Sequence, residues 1–247
     1  MVLGVVGVLL LALAAWGVAS AVRTPAEVDQ ASPGPVIVVP GYGGNLADLV
    51  PLVDALEQQG RDAVVYRPTD DNLGDLRVQA RRLADLARTT MKRTGASSVD
   101  VIGYSAGGVI ARLYVRDEGG ASVVRRVVTL GSPQHGTDVA ALAKDVAGGC
   151  PTACDQLATG SDLLRRLNAG DETPGDAEWT TVRTDADTIV TPTSSAQLAG
   201  ALNLRVQDLC PDDRATHGDL PGDPVVLAAL PTVLGKGTTR APTDVGC

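Results

Sequence analysis

Short apolar runs alternate with longer amphipathic stretches over most of the chain after residue 34. The apolar runs end in glycine, proline or polar residues, which is typical of buried parallel strands. They predict six strands, at residues 35–39, 62–66, 98–102, 123–130, 178–183 and 203–207. Between them, apolar residues recur at the spacing of one helix face. This spacing predicts helices at residues 46–59, 72–93, 105–116, 161–167 and 225–234, the last interrupted by Pro231.

Strands that alternate with helices predict the α/β class. We expect about six mostly parallel strands in one sheet, with helices on both faces. In such sheets, functional sites form in the loops that follow the carboxyl ends of the strands. Catalytic or binding residues are therefore expected in those loops.

The first part of the chain has a different character. Residues 2–22 carry no charge and are almost wholly apolar, which predicts an export or membrane segment. Ala19-Ser20-Ala21 offers a small-residue cleavage site, but the segment lacks a basic start and about 20 apolar residues suffice to span a bilayer. A cleaved signal peptide and a retained anchor (residues 1–22) both remain open, and both place the rest outside the cytoplasm. Residues 23–34 are predicted as a linker, and residues 35–247 as the folded domain.

Composition adds two limits. The 247 residues are 44% hydrophobic but contain no Phe and only two Trp, so aliphatic side chains must fill the core. The net charge of −8 argues against nucleic acid as a partner.

The four cysteines are expected to form disulfides, because the chain is predicted to be exported. Four cysteines allow three pairings. Cys150 and Cys154 are close in sequence, which favours a small closed loop, and Cys210 with Cys247 would then tie back the C-terminus. A metal site is the weaker interpretation, since two histidines and no C-x-x-C give poor ligand spacing.

The strongest chemical signal is Gly103-Tyr104-Ser105-Ala106-Gly107, which lies between a predicted strand and a predicted helix. This G-x-S-x-G context is typical of a nucleophile elbow, a strained turn that exposes a serine Oγ above the sheet. It predicts Ser105 as a catalytic nucleophile. The alternative is a glycine-rich turn with an inert serine. A catalytic serine also requires a base, and the base requires an orienting acid.

The chain has two histidines, His135 after the fourth predicted strand and His217 after the sixth. In a nucleophile-elbow hydrolase, the chain order is serine, acid, histidine. Only His217 leaves room for an acid that follows a late strand, so we predict it as the base. His135 is expected to shape its loop or to form hydrogen bonds near the site.

The candidate acids follow the fifth predicted strand. Asp187 precedes the apolar pair Ile189-Val190, which is able to bury and orient it. We therefore favour Asp187 over Asp185, with Asp138 as a third candidate. The acid is needed to hold the imidazole in the correct tautomer.

An oxyanion formed at the substrate carbonyl requires preorganised N–H donors. Ala106, directly after the serine, supplies one candidate. The backbone N–H of Tyr42 is the other, in the glycine-rich turn at residues 40–45 after the first strand. The alternative for this segment is a plain turn before a helix capped by Asn45.

Together, five blocks in this order resemble small secreted bacterial lipases of the α/β-hydrolase fold, over about residues 34–236. The blocks are Pro40-Gly41-Tyr42-Gly43-Gly44, residues 103–108, residues 131–137, residues 186–190 and Thr216-His217-Gly218. The resemblance implies an esterase or triacylglycerol lipase with Ser105, Asp187 and His217 as triad and Tyr42 and Ala106 as oxyanion donors. It implies no metal or other cofactor.

The resemblance is not complete. Many such lipases have His-Gly where this chain has Pro40-Gly41, and His and Met in place of Tyr104 and Ala106. The expected substrate is a lipid or small ester, with membrane association through residues 2–22 as a further expectation. An acyltransferase or thioesterase with the same triad, and a non-catalytic binding module, remain alternatives.

The connection at residues 131–177 is the longest in the predicted domain, and it is a candidate for a lid or acyl-binding wall. Its leucines Leu163, Leu164 and Leu167 are candidates to line that wall. They fit an ordinary core at least as well.

Overall fold

The computed structural model describes residues 27–146 and 150–247. Six strands are present in this part of the chain: β1 Val36–Val39, β2 Ala63–Val65, β3 Val99–Tyr104, β4 Val124–Leu130, β5 Glu178–Arg183 and β6 Leu202–Arg205. All pair in parallel in one sheet, in the order β2-β1-β3-β4-β5-β6. The predicted parallel sheet is confirmed.

Helices and short 3₁₀ turns occupy the connections between the strands. The α-helices are α1 Val50–Gln58, α2 Leu76–Thr94, α3 Ala106–Asp117, α4 Asp138–Val146, α5 Thr152–Leu157, α6 Asp162–Leu167, α7 Val206–Leu209 and α8 Pro224–Val233. The 3₁₀ turns are Ala47–Leu49, Gly120–Ser122, Thr193–Ala196 and His217–Asp219.

The helices cover both faces of the sheet, and β1 explains why. Successive side chains of a strand point to opposite faces. Accordingly, Ile37 and Val39 pack in a cluster with residues of α2, α3, α5 and α6, whereas Val36 and Val38 pack with residues of α1 and α8. Because both faces are buried, the strand is apolar throughout, as the uninterrupted run in the sequence indicated.

Helix α2 begins four residues later than predicted. Asp75 caps it by accepting a hydrogen bond from the Arg77 N–H at 2.9 Å. Before the cap, Asp71 and Asn72 adopt positive φ angles of 53° and 55°, which no α-helix accommodates. The predicted start at Asn72 is therefore wrong, and this residue belongs to a loop.

The end of the sixth predicted strand is also wrong. Pairing with β5 stops at Arg205, and the next residues form the short helix α7, closed by a hydrogen bond from Cys210 N–H to Val206 C=O at 2.8 Å. β6 lies at the edge of the sheet, so only one neighbour holds it extended. In contrast to the predicted interruption, α8 continues through Pro231 to Val233.

Two disulfides join the cysteines as expected. Cys150 is bonded to Cys154 at the start of α5, and Cys210 to Cys247 at the end of the chain. In the described ranges there is no helix long and apolar enough to cross a membrane, and no cluster of three or more candidate metal ligands. The predicted export segment or anchor, residues 1–22, lies outside those ranges.

Candidate active site

Ser105 lies in the sharp turn between β3 and α3. Its φ of 52° and ψ of −124° put it in a region that residues with a side chain rarely adopt. The turn is crowded: a Cβ on Gly103 would lie 2.5 Å from Gly108 Cα, and one on Gly107 would lie 2.3 Å from the Val39 carbonyl oxygen. Glycine is thus required on both sides of the serine. This is the geometry predicted for the elbow.

The structure brings Ser105, His217 and Asp187 together. His217 Nε2 lies 3.1 Å from Ser105 Oγ, and its Nδ1 lies 2.8 Å from Asp187 Oδ2. The three residues follow β3, β5 and β6, at the carboxyl edge of the sheet. The two ring nitrogens therefore connect the serine hydroxyl to a carboxylate, which is the arrangement that activates a serine.

Asp187 is held by its own loop. Its Oδ1 accepts hydrogen bonds from the N–H groups of Ile189 and Val190, both at 2.8 Å, which leaves Oδ2 for His217. The carboxylate is almost fully buried. Asp185 instead forms ion pairs with Arg183 and Arg205 at the surface. The loop thus aims one of the two candidate acids at the imidazole.

Tyr104 and Gly131, to which the sequence assigned no catalytic role, lie beside His217. The Tyr104 hydroxyl donates to the His217 carbonyl at 3.2 Å, and the two rings are 5.3 Å apart. Burial raises the pKa of Tyr104, so its hydroxyl remains a donor. Gly131 has a φ of 54°, and a Cβ there would lie 3.0 Å from His217 Nδ1. The imidazole is therefore confined from both sides.

His135 forms a different contact. Its Nε2 lies 2.8 Å from Glu172 Oε1, and its Nδ1 lies 3.3 Å from the Ser195 carbonyl oxygen. Burial raises the pKa of Glu172, but hydrogen bonds from Ala199 N–H and from His135 outweigh it and hold that pKa below its ordinary value. His135 thus links its own loop after β4 to Ser195 in the connection between β5 and β6, and none of its hydrogen bonds involves Ser105 or Asp187.

The two predicted oxyanion donors flank Ser105. Ala106 is the first residue of α3, so its N–H has no partner within the helix. The turn before Tyr42 approaches from β1, where a Cβ on Gly41 would lie 3.0 Å from Ser105 Cβ. A hydrogen bond from Gly44 N–H to Gly41 C=O closes this turn at 3.1 Å. The donor roles of Tyr42 and Ala106 remain predictions.

An apolar pocket of about 290 Å³ opens beside Ser105. Its wall comes from α4, α5 and the loops after β1, β4 and β5. It is lined by Tyr42, Ser105, Pro133, Thr137, Val139, Ala140, Ala143, Cys150, Cys154, Leu157, Ile189 and Val190. The disulfide Cys150–Cys154 is thus part of the wall. Leu163, Leu164 and Leu167 are instead buried in the core and do not line the pocket. The structure therefore supports the interpretation of these leucines as ordinary core residues.

A protein-family model described as palmitoyl protein thioesterase matches residues 35–167, more than half of the chain. The chain belongs to the palmitoyl protein thioesterase family. The match includes Tyr42, Ser105 and Ala106, whereas Asp187 and His217 follow it.

Lipases are among the solved structures similar to this family member. Lipase B of Aspergillus fumigatus superposes with a TM-score of 0.72 at 20% identity, over 88% of this chain and 57% of that one. The mature lipase BlEst2 of Bacillus licheniformis superposes with a TM-score of 0.68 at 19% identity, over 86% of this chain and 96% of that one. This chain thus spans little more than half of the fungal lipase. The likeness shows the fold, and the predicted α/β-hydrolase fold of lipases is confirmed.

Proposed function

We propose that this protein is a serine carboxylic-ester hydrolase, a lipase or esterase, that acts through an acyl-enzyme. One observation carries the proposal: a continuous chain of hydrogen-bonding distances runs from Ser105 through His217 to Asp187, beside an apolar pocket. A serine with an oriented base is equipped for acyl transfer. The pocket supplies a place for the acyl group.

In the proposed reaction, His217 Nε2 takes the Ser105 proton while Oγ forms a bond to the ester carbonyl carbon. The N–H groups of Tyr42 and Ala106 stabilise the resulting oxyanion. His217 then gives its proton to the leaving alcohol as the ester C–O bond breaks. A water molecule attacks the acyl-enzyme by the same steps, and the acid is released. Asp187 stabilises the imidazolium throughout.

The pocket favours an apolar acyl group of short to medium length. Its volume of about 290 Å³ is near the lower end of the roughly 300–1,000 Å³ typical of small-molecule sites. Tyr42, Val139 and Ile189 line it and are also between 42% and 47% exposed, so its mouth is apolar. Lipids and small apolar esters fit this surface better than charged esters.

Thioester hydrolysis is the second candidate, because the matched family model is described as a palmitoyl protein thioesterase. The same triad performs it, since only the leaving atom changes from oxygen to sulfur. An acyltransferase differs only in its acceptor, an alcohol in place of water. The three activities are separated by their products.

We further propose that residues 35–247 form a single catalytic domain that is exported from the cytoplasm. The two disulfides support an oxidising location. Residues 2–22 would direct export, as a signal peptide or as a membrane anchor, and residues 23–34 would link them to the domain.

The function is tested with purified protein and p-nitrophenyl esters from acetyl to palmitoyl, beside the matching acyl-CoA thioesters. We expect kcat/KM to rise with chain length to a short or medium optimum, because each buried methylene contributes about 0.8 kcal/mol until the pocket is full. Ester turnover that is absent while thioesters are cleaved would replace the esterase by the thioesterase. Acyl transfer to an added alcohol in preference to water would instead favour the acyltransferase.

A second prediction concerns the pocket itself. Ala140→Trp introduces a large side chain into the wall, so we expect kcat/KM for medium-chain esters to fall by at least about tenfold relative to the acetyl ester. Leu142→Trp is the matched control, because Leu142 is exposed on the same helix and is not in the pocket lining. Equal chain-length profiles for the two variants would place the acyl group elsewhere.

A further inference from the structure

Asn72 connects two loops that are distant in sequence. It lies in the loop between β2 and α2 and is fully buried. Its side-chain amide donates to the carbonyl oxygens of Pro40 at 2.9 Å and Gly41 at 3.0 Å. Because both partners are acceptors, the NH₂ group and not the oxygen must face them.

The hydrogen bond to the Gly41 carbonyl also fixes the orientation of the whole Gly41–Tyr42 peptide group. A peptide group is planar and trans, so its C=O and N–H point in opposite directions. The N–H in the same peptide group as the Gly41 carbonyl belongs to Tyr42, the predicted oxyanion donor. Once Asn72 and Gly44 N–H hold the carbonyl, the direction of the Tyr42 N–H is set. Hydrogen bonds to a carbonyl also polarise the N–H of its peptide group.

The distance from this peptide to the nucleophile leaves little tolerance. A Cβ on Gly41 would lie 3.0 Å from Ser105 Cβ, and one on Gly107 would lie 2.7 Å from the Pro40 carbonyl oxygen. The two carbonyls that Asn72 binds thus belong to the segment that packs against the elbow. Stabilisation of an oxyanion depends on donors at about 2.7–3.1 Å from it, so a small rotation of this segment matters.

The backbone around Asn72 adopts an uncommon conformation. Within the described ranges, the non-glycine residues with positive φ are Asp71, Asn72 and Ser105. Such conformations persist where the surrounding structure holds them. A Cβ on Gly44 would lie 2.9 Å from Asp71 Cα, so this loop is packed tightly against the turn that carries Tyr42.

We propose that Asn72 is a positioning residue that aims the Tyr42 N–H at the oxyanion formed on the substrate carbonyl when Ser105 attacks it. The inference rests on the proposed ester hydrolysis and adds a residue from outside the five predicted participants. Asn72 does not touch the substrate, and it acts by holding the Gly41–Tyr42 peptide.

The test compares Asn72→Gly and Asn72→Asp with Asp71→Gly in the full chain, using p-nitrophenyl butyrate. Glycine accepts positive φ at both positions, so Asp71→Gly controls for backbone effects without removing a bond to the oxyanion turn. We expect Asn72→Gly to lower kcat by about tenfold with KM within about twofold, because the interaction matters in the transition state. Asp71→Gly should retain the kcat of the unchanged protein.

Asn72→Asp separates hydrogen bonding from space filling. Aspartate has the shape of asparagine, but its carboxylate would face two carbonyl oxygens. Positioning by donation therefore predicts kcat in the order asparagine, glycine, aspartate, whereas a role in packing predicts that aspartate exceeds glycine. Finding aspartate above glycine, or both equal to the unchanged protein, would overturn the proposal.

Each kcat is divided by the number of sites that react to completion with a p-nitrophenyl phosphonate, which counts folded enzyme with a competent nucleophile. If Asn72→Gly has no reactive sites while Asp71→Gly reacts fully, Asn72 is required for folding and the positioning role is wrong. If the unchanged protein neither hydrolyses the ester nor reacts, the proposed function fails and the inference fails with it. A failure of Asn72→Gly alone thus rejects the positioning role but leaves the proposed hydrolase function standing.

Discussion

Replacing Ser105 by alanine is expected to lower kcat for p-nitrophenyl butyrate by roughly 10⁴- to 10⁶-fold. The alanine removes the only group that forms the covalent bond, while His217 and Asp187 keep their contact. What activity remains comes from the oxyanion donors and from binding. Steady-state kinetics measure the loss, and mass spectrometry should show that the phosphonate no longer adds to the protein.

Ser122→Ala is the matched control for this prediction. Ser122 lies in the 3₁₀ turn before β4, at the amino ends of the strands, whereas the elbow lies at their carboxyl ends. Its hydroxyl donates to the nearby Gly119 carbonyl. Turnover by this variant should equal that of the unchanged protein. Unchanged turnover in Ser105→Ala would rule out the serine as nucleophile.

His217→Ala is expected to lower kcat by a comparable factor, roughly 10⁴- to 10⁶-fold, because Ser105 loses the base that takes its proton. His135→Ala should change kcat by less than about threefold. Its half-exposed ring contacts Glu172 and the Ser195 carbonyl, so its loss leaves the contacts among Ser105, His217 and Asp187 in place. The chain has two histidines, so these two variants together test every histidine as the catalytic base.

The same kinetic assay decides between the two histidines. A larger loss in His135→Ala than in His217→Ala would contradict the assigned base. Thermal unfolding of both variants separates a lost proton acceptor from a lost fold, since His217→Ala should keep a cooperative transition.

The sheet could be predicted because it depends on local burial. β1 is buried on both faces and is an unbroken apolar run in the sequence. β3 and β4 are equally buried and mostly apolar, although β3 contains Asp100 and β4 contains Arg125 and Arg126. The elbow could be predicted because its motif is local in sequence. Gly103 is required by a contact with Gly108, although Gly107 is required by Val39 of the distant strand β1. The end of β6 was missed because only one neighbouring strand holds it, and hydropathy does not register that difference.

The surroundings of the site could not be predicted, since they depend on contacts between distant segments. Asn72 and Pro40 are 32 residues apart, and nothing in either local pattern indicates the bond between them. The Asp70-Asp71-Asn72 run did carry a signal, because these residue types tolerate positive φ. Similarly, Leu163 and Leu157 are both buried, yet only Leu157 lines the pocket. Periodicity predicts that a side chain is buried, but not what it contacts.

The conformation of Ser105 implies a trade-off between durability and turnover. A residue with a side chain in this part of φ/ψ space costs of order 1–3 kcal/mol, which glycine would not incur. Selection for thermal resistance alone would therefore favour glycine at this position and abolish the enzyme. Stabilising substitutions should therefore be placed in elements away from the carboxyl edge of the sheet, and the elbow should be left unchanged.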